Sequence, residues 1–460
     1  MIGSAVQNII TLTDTYFLAR YDDPACFPAI GIVGIFYLMI TTIGFNFTKA
    51  GQIVIARRMG EGQESSIGSI FYSMLSFISL MAVFFFFVTR YIAPAVFPSF
   101  VQDPDILRAC IEYLEIRAFG IIFSYIGMVF LVLYTGIARP MIIIYNALCL
   151  GILNGLVNYA LIFGNWGMPE MGMKGAAWAS NIAEITAFVL FLGYMLIDKK
   201  NRILGLFGRT ASAKEKAKEL VLKGEKVTAE SIENIKNSLP KTTVWNWEII
   251  KNQIILSFPI VCQSVLSIGS WLVFFFFVEN LSKDALEAST LLRSIYMMFM
   301  IPTWGFGASI NTIVSNIIGQ KQFSHVIPAI NKTALLCFIM TMACTVVLLI
   351  IPDTILGILA ENEQIVANTK ALIPVFILIL IVFCTGSIYF NGIIGAGATY
   401  QSLYILIAAC LAYIPYVYLT TKVWQTSLSI AWGGEVLYWL VNTLLAIWYL
   451  RSNRWHSIKV

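Results

Sequence analysis

Twelve apolar runs, most of them 20 to 28 residues long, constrain this chain more than any other feature. They fall at about 1 to 19, 30 to 56, 66 to 92, 112 to 138, 141 to 163 and 174 to 197, and again at 249 to 278, 288 to 316, 326 to 351, 369 to 395, 402 to 421 and 428 to 450. A run of about 20 apolar residues matches the thickness of a bilayer core when wound as a helix. None of the runs alternates with period two, which excludes a membrane barrel. Composition agrees: 58% of residues are hydrophobic and only 12% are charged, about half the charge of an ordinary soluble chain.

The runs group as six plus six around one polar stretch, residues 198 to 248, which carries eleven Lys/Arg and seven Asp/Glu and a short helical pattern from Ala211 to Leu222. The expected organisation is a first six-helix lobe over 1–197, a solvated cytoplasmic linker over 198–248, a second lobe over 249–450 and a cytoplasmic tail over 451–460. Placing the linker and the even-numbered loops on one side gathers 20 Lys/Arg there and nine on the other, so both termini are expected inside. Sliding residues 34–63 onto 293–322 pairs Tyr37 with Tyr296, Met39 with Met298, Phe47 with Phe306, Gly60 with Gly319 and Gln63 with Gln322. An even number of spans per half makes the halves enter the membrane in the same sense. The fold class read from this is an all-α integral membrane protein, with twelve transmembrane helices in two six-helix lobes related by a pseudo-two-fold axis along the membrane normal.

Several functional classes lose their support. The eight cysteines are scattered without a C-x-x-C pair, and His325 and His456 have no second ligand at helical spacing, so no metal or haem site is expected. The G-x-x-x-x-G-K-[ST], H-E-x-x-H and G-x-S-x-G patterns are absent, so the chain is not expected to be an enzyme and needs no cofactor beyond a coupling ion.

What remains is ionisable groups at membrane depth. A carboxylate inside a span costs about 2.5 to 3.5 kcal/mol on insertion scales, so it normally faces a partner or a cavity. Away from the ends of the runs there are three acids: Asp14, Glu184 and Glu435. Gln7, Thr11 and Asp14 stand at i, i+4 and i+7 on one face of the first helix, groups that can bind a cation or hold a proton. Asn154 and Asn158 share a face of the fifth helix, and Ser180 and Glu184 a face of the sixth. Turned inward, these surround Asp14 and make the candidate ion-coupling set. Glu435, after Gly433-Gly434, reads as a snorkelling acid near the outer end of the last helix, and Lys49 is a cation within the second run. The second half carries a polar stripe of Gln263, Ser267 and Ser270 without an acid. Tyr37, Gln52, Tyr296 and Asn311 are candidate substrate-binding residues.

The stretch from Asn154 to Gly164, with Gly167-Met168-Pro169, Gly172 and Gly175-Ala176-Ala177 after it, resembles the multidrug and toxic compound extrusion (MATE) transporters. Gln7-Asn8 with Thr13-Asp14-Thr15, Gln52 with Ala56-Arg57 and Gly60, and Tyr413-Ile414-Pro415 extend the resemblance over the whole chain. It implies a secondary antiporter, monomeric in the bacterial cytoplasmic membrane and in contact with its lipids. Such a protein exports small organic, often cationic and amphipathic compounds in exchange for H⁺ or Na⁺ and has no nucleic-acid partner. It also implies a coupling role for Asp14. Relatives carry an Asn and an Asp one turn apart on the fifth helix where this chain has Asn154 and Asn158, and a Glu on the seventh helix that Ser267 and its neighbours do not supply, which turns attention to Glu184. The alternative reading is a flippase for a lipid-linked precursor, needing a basic groove at depth for which Lys49 and Arg117 are available.

Overall fold

The computed structural model describes residues 10, 13–222, 227–279, 281–359 and 363–458. Among them there is no strand. Chain contacts divide the molecule into two units, one up to Ser257 and one from Phe258 onward.

The first unit contains α1 (residues 13–18), α2 (Cys26–Gly60), α3 (Ile67–Phe87), α4 (Ala93–Val96), α5 (Pro104–Gly136), α6 (Pro140–Phe163), α7 (Gly172–Ile197), α8 (Arg209–Leu222) and α9 (Ala229–Ser238). Helix α10 (Trp247–Glu279) begins in this unit and continues into the second, which adds α11 (Lys283–Gly319), α12 (Val326–Ile350), α13 (Pro352–Leu359), α14 (Glu363–Lys370), α15 (Ile373–Gly395), α16 (Thr399–Tyr418) and α17 (Leu428–Arg451). Eleven helical stretches among the described residues are long and apolar enough to cross a membrane. The predicted first span lies mostly outside the described residues, and α1 is its visible end.

Helices α5 and α11 start well before the apolar stretches that announce them because their N-termini are capped in polar sequence. Helix α5 starts at Pro104, behind an Asp103 carboxylate that accepts from the Asp105 and Ile106 amides, and α11 starts behind Ser282, whose hydroxyl accepts from Ala285 N. Thirty-three residues in α5 rise about 50 Å, well beyond a hydrocarbon core of about 30 Å. Large apolar side chains stay uncovered along lipid-length faces, such as Leu80, Val83, Phe84 and Phe87 on α3 and Leu335, Leu336, Ile339, Val346 and Val347 on α12. In water such faces mark a fault or an interface; a bilayer is the solvent that suits them.

Packing repeats within each unit. In the first, α5 is the hub, set against α2, α3 and α7, with α6 on α7. In the second, α15 packs on α11, α12 and α17, with α16 on α17. The same helix order makes the same neighbours twice, the tertiary counterpart of the sequence repeat.

The polar stretch expected as a solvated connection folds against the first unit. It holds a second helix, α9, besides the α8 that its pattern predicts, and it buries Leu204, Leu206, Ala213, Ala217 and Leu239. Its last residues run as a strap along α3. Ser69, Ser73 and Ser76 stand at i, i+4 and i+7 and meet the strap backbone: Ser69 Oγ donates to Lys241 O and accepts from Thr243 N, Ser73 Oγ accepts from Asn246 N, and Ser76 Oγ donates to Val244 O.

Candidate ion-coupling site

Asp14 is completely buried inside the first unit. Helix α1 is held by Leu18, which packs among Ala29, Ile30, Val33, Ile162 and Ala176, and by Phe17, whose ring meets Phe163 at 6.2 Å and Tyr159 at 6.5 Å. This seats the carboxylate against α5, α6 and α7. Four side chains donate to it: Asn158 Nδ2 to Oδ1 at 2.8 Å, Asn154 Nδ2 to Oδ1 at 3.3 Å, Ser180 Oγ to Oδ2 at 2.7 Å and Tyr113 Oη to Oδ2 at 3.1 Å. Asn154 Nδ2 also reaches Ser180 Oγ at 3.2 Å. Two donors on each oxygen match the lone pairs of an ionised carboxylate. The outer oxygens of both asparagines, Oδ1 of Asn154 and of Asn158, are buried without a hydrogen-bond partner, leaving two acceptors in the immediate surroundings of the acid. Carboxylate plus neutral oxygen acceptors is a donor set that fits a monovalent cation or a proton.

The structure thus brings Asp14, Asn154, Asn158 and Ser180 together, as their helical spacing suggested. Gln7 and Thr11 lie outside the described residues. Glu184 goes elsewhere. Its carboxylate takes a two-pronged pair from Arg117, Nη1 to Oε2 at 2.7 Å and Nη2 to Oε1 at 2.6 Å, and Arg117 Nη1 also donates to Asn181 Oδ1 at 2.9 Å. Both partners are buried, at 1% and 3% exposure, and the guanidinium carbon stands 4.0 Å from the centre of the Tyr37 ring. Asn181 Nδ2 anchors the group to Ile116 O at 2.6 Å. Gly120, one turn along α5, leaves the room this requires: a Cβ there would collide with Arg117 Nη1 and Asn181 Oδ1. Glu184 is therefore one turn from Ser180 on α7 but compensates an arginine, and it reaches Asp14 only through the charge of Arg117, which acts on both acids.

Tyr113 escaped the sequence reading, and Arg117 was considered there only as a groove cation for the flippase alternative. They stand at i and i+4 on α5, and an arginine inside an apolar run demands a buried partner. That signal was available: of the in-span acids, Glu184 is the one that satisfies it.

The candidate substrate-binding residues divide between the units. Tyr37 is buried under Arg117, and Gln52 is buried fifteen residues further along the same helix, about 22 Å away by helical rise. In the second unit Tyr296 is enclosed and accepts from Trp439 Nε1 at 3.0 Å, while Asn311 is buried with its Nδ2 3.4 Å from Asn391 Oδ1. Within neither unit do the two residues make one cluster. Glu435 requires a correction. It is not a snorkelling surface acid but is buried, at 3% exposure, between α16 and α17. The reason is the pair before it: a Cβ on Gly434 would stand 2.9 Å from Val417 and 3.1 Å from the Tyr413 ring, so only glycine lets the helices close over the carboxylate.

The fold and this buried polar centre define a class, all-helical polytopic membrane proteins with an ionisable site at membrane depth in a repeated bundle. The MatE family model matches residues 1–160 and again 259–419, one match in each half, and the chain belongs to that family. Among curated relatives, a probable multidrug resistance protein NorM of Thermotoga maritima is 20% identical over 467 residues, covering 99% of this chain and 91% of the relative. A protein of the same description from Agrobacterium fabrum is 29% identical over 184 residues, 39% of each chain. Among solved structures, an outward-facing multidrug resistance MATE family transporter of the MOP superfamily superposes with a TM-score of 0.82 at 15% identity, covering 98% of this chain and 93% of that one. The eukaryotic MATE transporter AtDTX14 superposes with a TM-score of 0.75 at 14% identity, covering 99% and 94%. At such identities the likeness is one of fold.

Proposed function

We propose that this protein is a secondary active antiporter that exports organic, often cationic and amphipathic compounds in exchange for H⁺ or Na⁺ by alternating access. Family membership and the relatives described as multidrug resistance proteins support this reading over lipid-precursor flipping. A basic groove is also harder to build here, because Arg117 is committed to Glu184. The protein works as a monomer in a bacterial cytoplasmic membrane, with both termini inside, and its substrates are small organic molecules met in or near the lipid.

The observation that carries the coupling step is the formal charge count of the first unit's polar centre. Arg117 cancels Glu184, and Asp14 has four neutral donors and no cation bonded to it, so one negative charge is left over at membrane depth. One H⁺ or Na⁺ neutralises it. Entry of that ion relieves the donors that held the ionised carboxylate and frees Tyr113 and the asparagines to rearrange, which links ion occupancy to the packing of α1 against α5, α6 and α7. One charge moving inward across 100 mV yields about 2.3 kcal/mol, enough to hold roughly a fiftyfold gradient of a neutral compound.

The test is efflux of a fluorescent organic cation from proteoliposomes, with proton and sodium gradients imposed one at a time. Asp14→Asn, which keeps shape and removes the charge, is expected to abolish gradient-driven transport while leaving a folded, monodisperse protein. Full gradient-driven efflux by Asp14→Asn rules out the assigned role.

A further inference from the structure

Two helix faces in the second unit run side by side in register. On α17, Leu428, Trp432, Glu435 and Trp439 stand at i, i+4, i+7 and i+11; on α11, Ala285, Ser289, Leu292 and Tyr296 do the same. Two tryptophan N–H groups tie them together, Trp432 Nε1 to Ser289 Oγ at 3.0 Å and Trp439 Nε1 to Tyr296 Oη at 3.0 Å. Glu435 lies between these rungs. Above the upper rung a cavity of about 510 Å³ opens at the loop end of the unit, lined by Leu281, Ser282, Ala285, Gln425, Thr426 and Leu428. Leu428 and Ala285 are thus the first residues of the same two faces, and Trp432, at 1% exposure, is the next residue along the α17 face, ahead of Glu435.

The carboxylate is chemically unfinished. It has no salt bridge among the described residues, and its Oε2 is buried without a hydrogen-bond partner. Around it are aromatic rings rather than cations: Tyr413 and Trp439 are its polar neighbours, Trp271 stacks on Tyr296 at 5.6 Å, and Phe274 meets Trp432 at 5.0 Å. A buried acid without a counter-ion, walled by indole and phenol faces, offers charge attraction and cation–π contact at one point.

We propose that the second unit holds a binding site for a lipophilic organic monocation, entered from this cavity and anchored by Glu435 once the Trp432 side chain swings aside. It deepens the exporter reading by giving the exported class a place far along the chain from Asp14. The carboxylate supplies the opposite charge, Trp271, Tyr296 and Trp439 supply aromatic faces, and Trp432 closes the entrance when the site is empty.

The experiment is equilibrium binding of tetraphenylphosphonium to purified protein in nanodiscs, without any gradient, so its result does not depend on coupling at Asp14. Glu435→Gln is expected to weaken binding tenfold or more and to lose the preference for tetraphenylphosphonium over neutral triphenylphosphine oxide. Photolabelling of the unmutated protein with an azido derivative of tetraphenylphosphonium, mapped by mass spectrometry, is expected to mark peptides within 281–296 or 425–439. Wild-type affinity in a monodisperse Glu435→Gln protein, or label confined to other segments, overturns the site. Should Glu435→Gln not fold, the labelling map decides alone. Loss of gradient-driven efflux in the unmutated protein with binding intact would count against the antiporter reading and leave this site standing.

Discussion

At the scale of single residues, the first unit separates two jobs that acids in a membrane can do. Glu184 is spent on Arg117, and Asp14 is held by neutral donors that give it up without leaving a charge behind. Stripping one partner from a buried ion pair leaves the other uncompensated at about 3 to 5 kcal/mol, whereas replacing both with apolar groups of like volume is often near neutral. Glu184→Gln alone is therefore expected to lower the thermal transition of the detergent-solubilised protein markedly, and Arg117→Met with Glu184→Met to restore most of it. A double variant no more stable than the single one would mean that the pair does not act as a unit. Asp14→Asn, by contrast, removes a charge that nothing cancels and is expected to leave stability intact while transport is lost.

At the scale of elements, the hub helix α5 can carry Tyr113 and Arg117 of the first unit's polar centre because it touches three neighbours at once. A helix with three partners has little lipid-facing surface, so Tyr113 and Arg117 can sit on it at membrane depth. The strap on α3 is a second element-level device. Its bonds to Ser69, Ser73 and Ser76 are worth about 0.5 to 1.5 kcal/mol each. Changing all three serines to alanine is expected to release residues 241–246 and to speed tryptic cleavage after Lys241, read as the rate of appearance of two fragments on a gel. An unchanged cleavage rate would show that the strap is held by other contacts.

At the scale of the whole molecule, an even number of spans sends both ends of the chain to one face, and the basic residues of 198–248 argue for the cytoplasm. A fluorescent protein fused after Val460 is expected to mature and fluoresce in bacterial cells, and a cysteine-reactive, impermeant reagent is expected to label a cysteine introduced at Asn234 on α9 only in inverted vesicles. Labelling of that cysteine in intact cells would reverse the orientation.

What the amino-acid order determined alone was set by the solvent. Runs of lipid-length apolar sequence must be helices, since backbone groups in hydrocarbon have no other partner, and so the helix order, the six-plus-six grouping and the helical faces bearing Asp14, Asn154, Asn158 and Ser180 could all be read from spacing. Which acid meets which cation could not. Arg117 and Glu184 are 67 residues apart, Asp14 and Asn158 144, and no local periodicity says that the first pair closes while Asp14 keeps only neutral donors. Glu435 makes the same point, for its burial depends on how near α16 can come to Gly434, a distance set by packing between helices. Spacing along a helix assigns a residue to a face; only the tertiary contact of that face with another decides whether its charge is cancelled, held or left open.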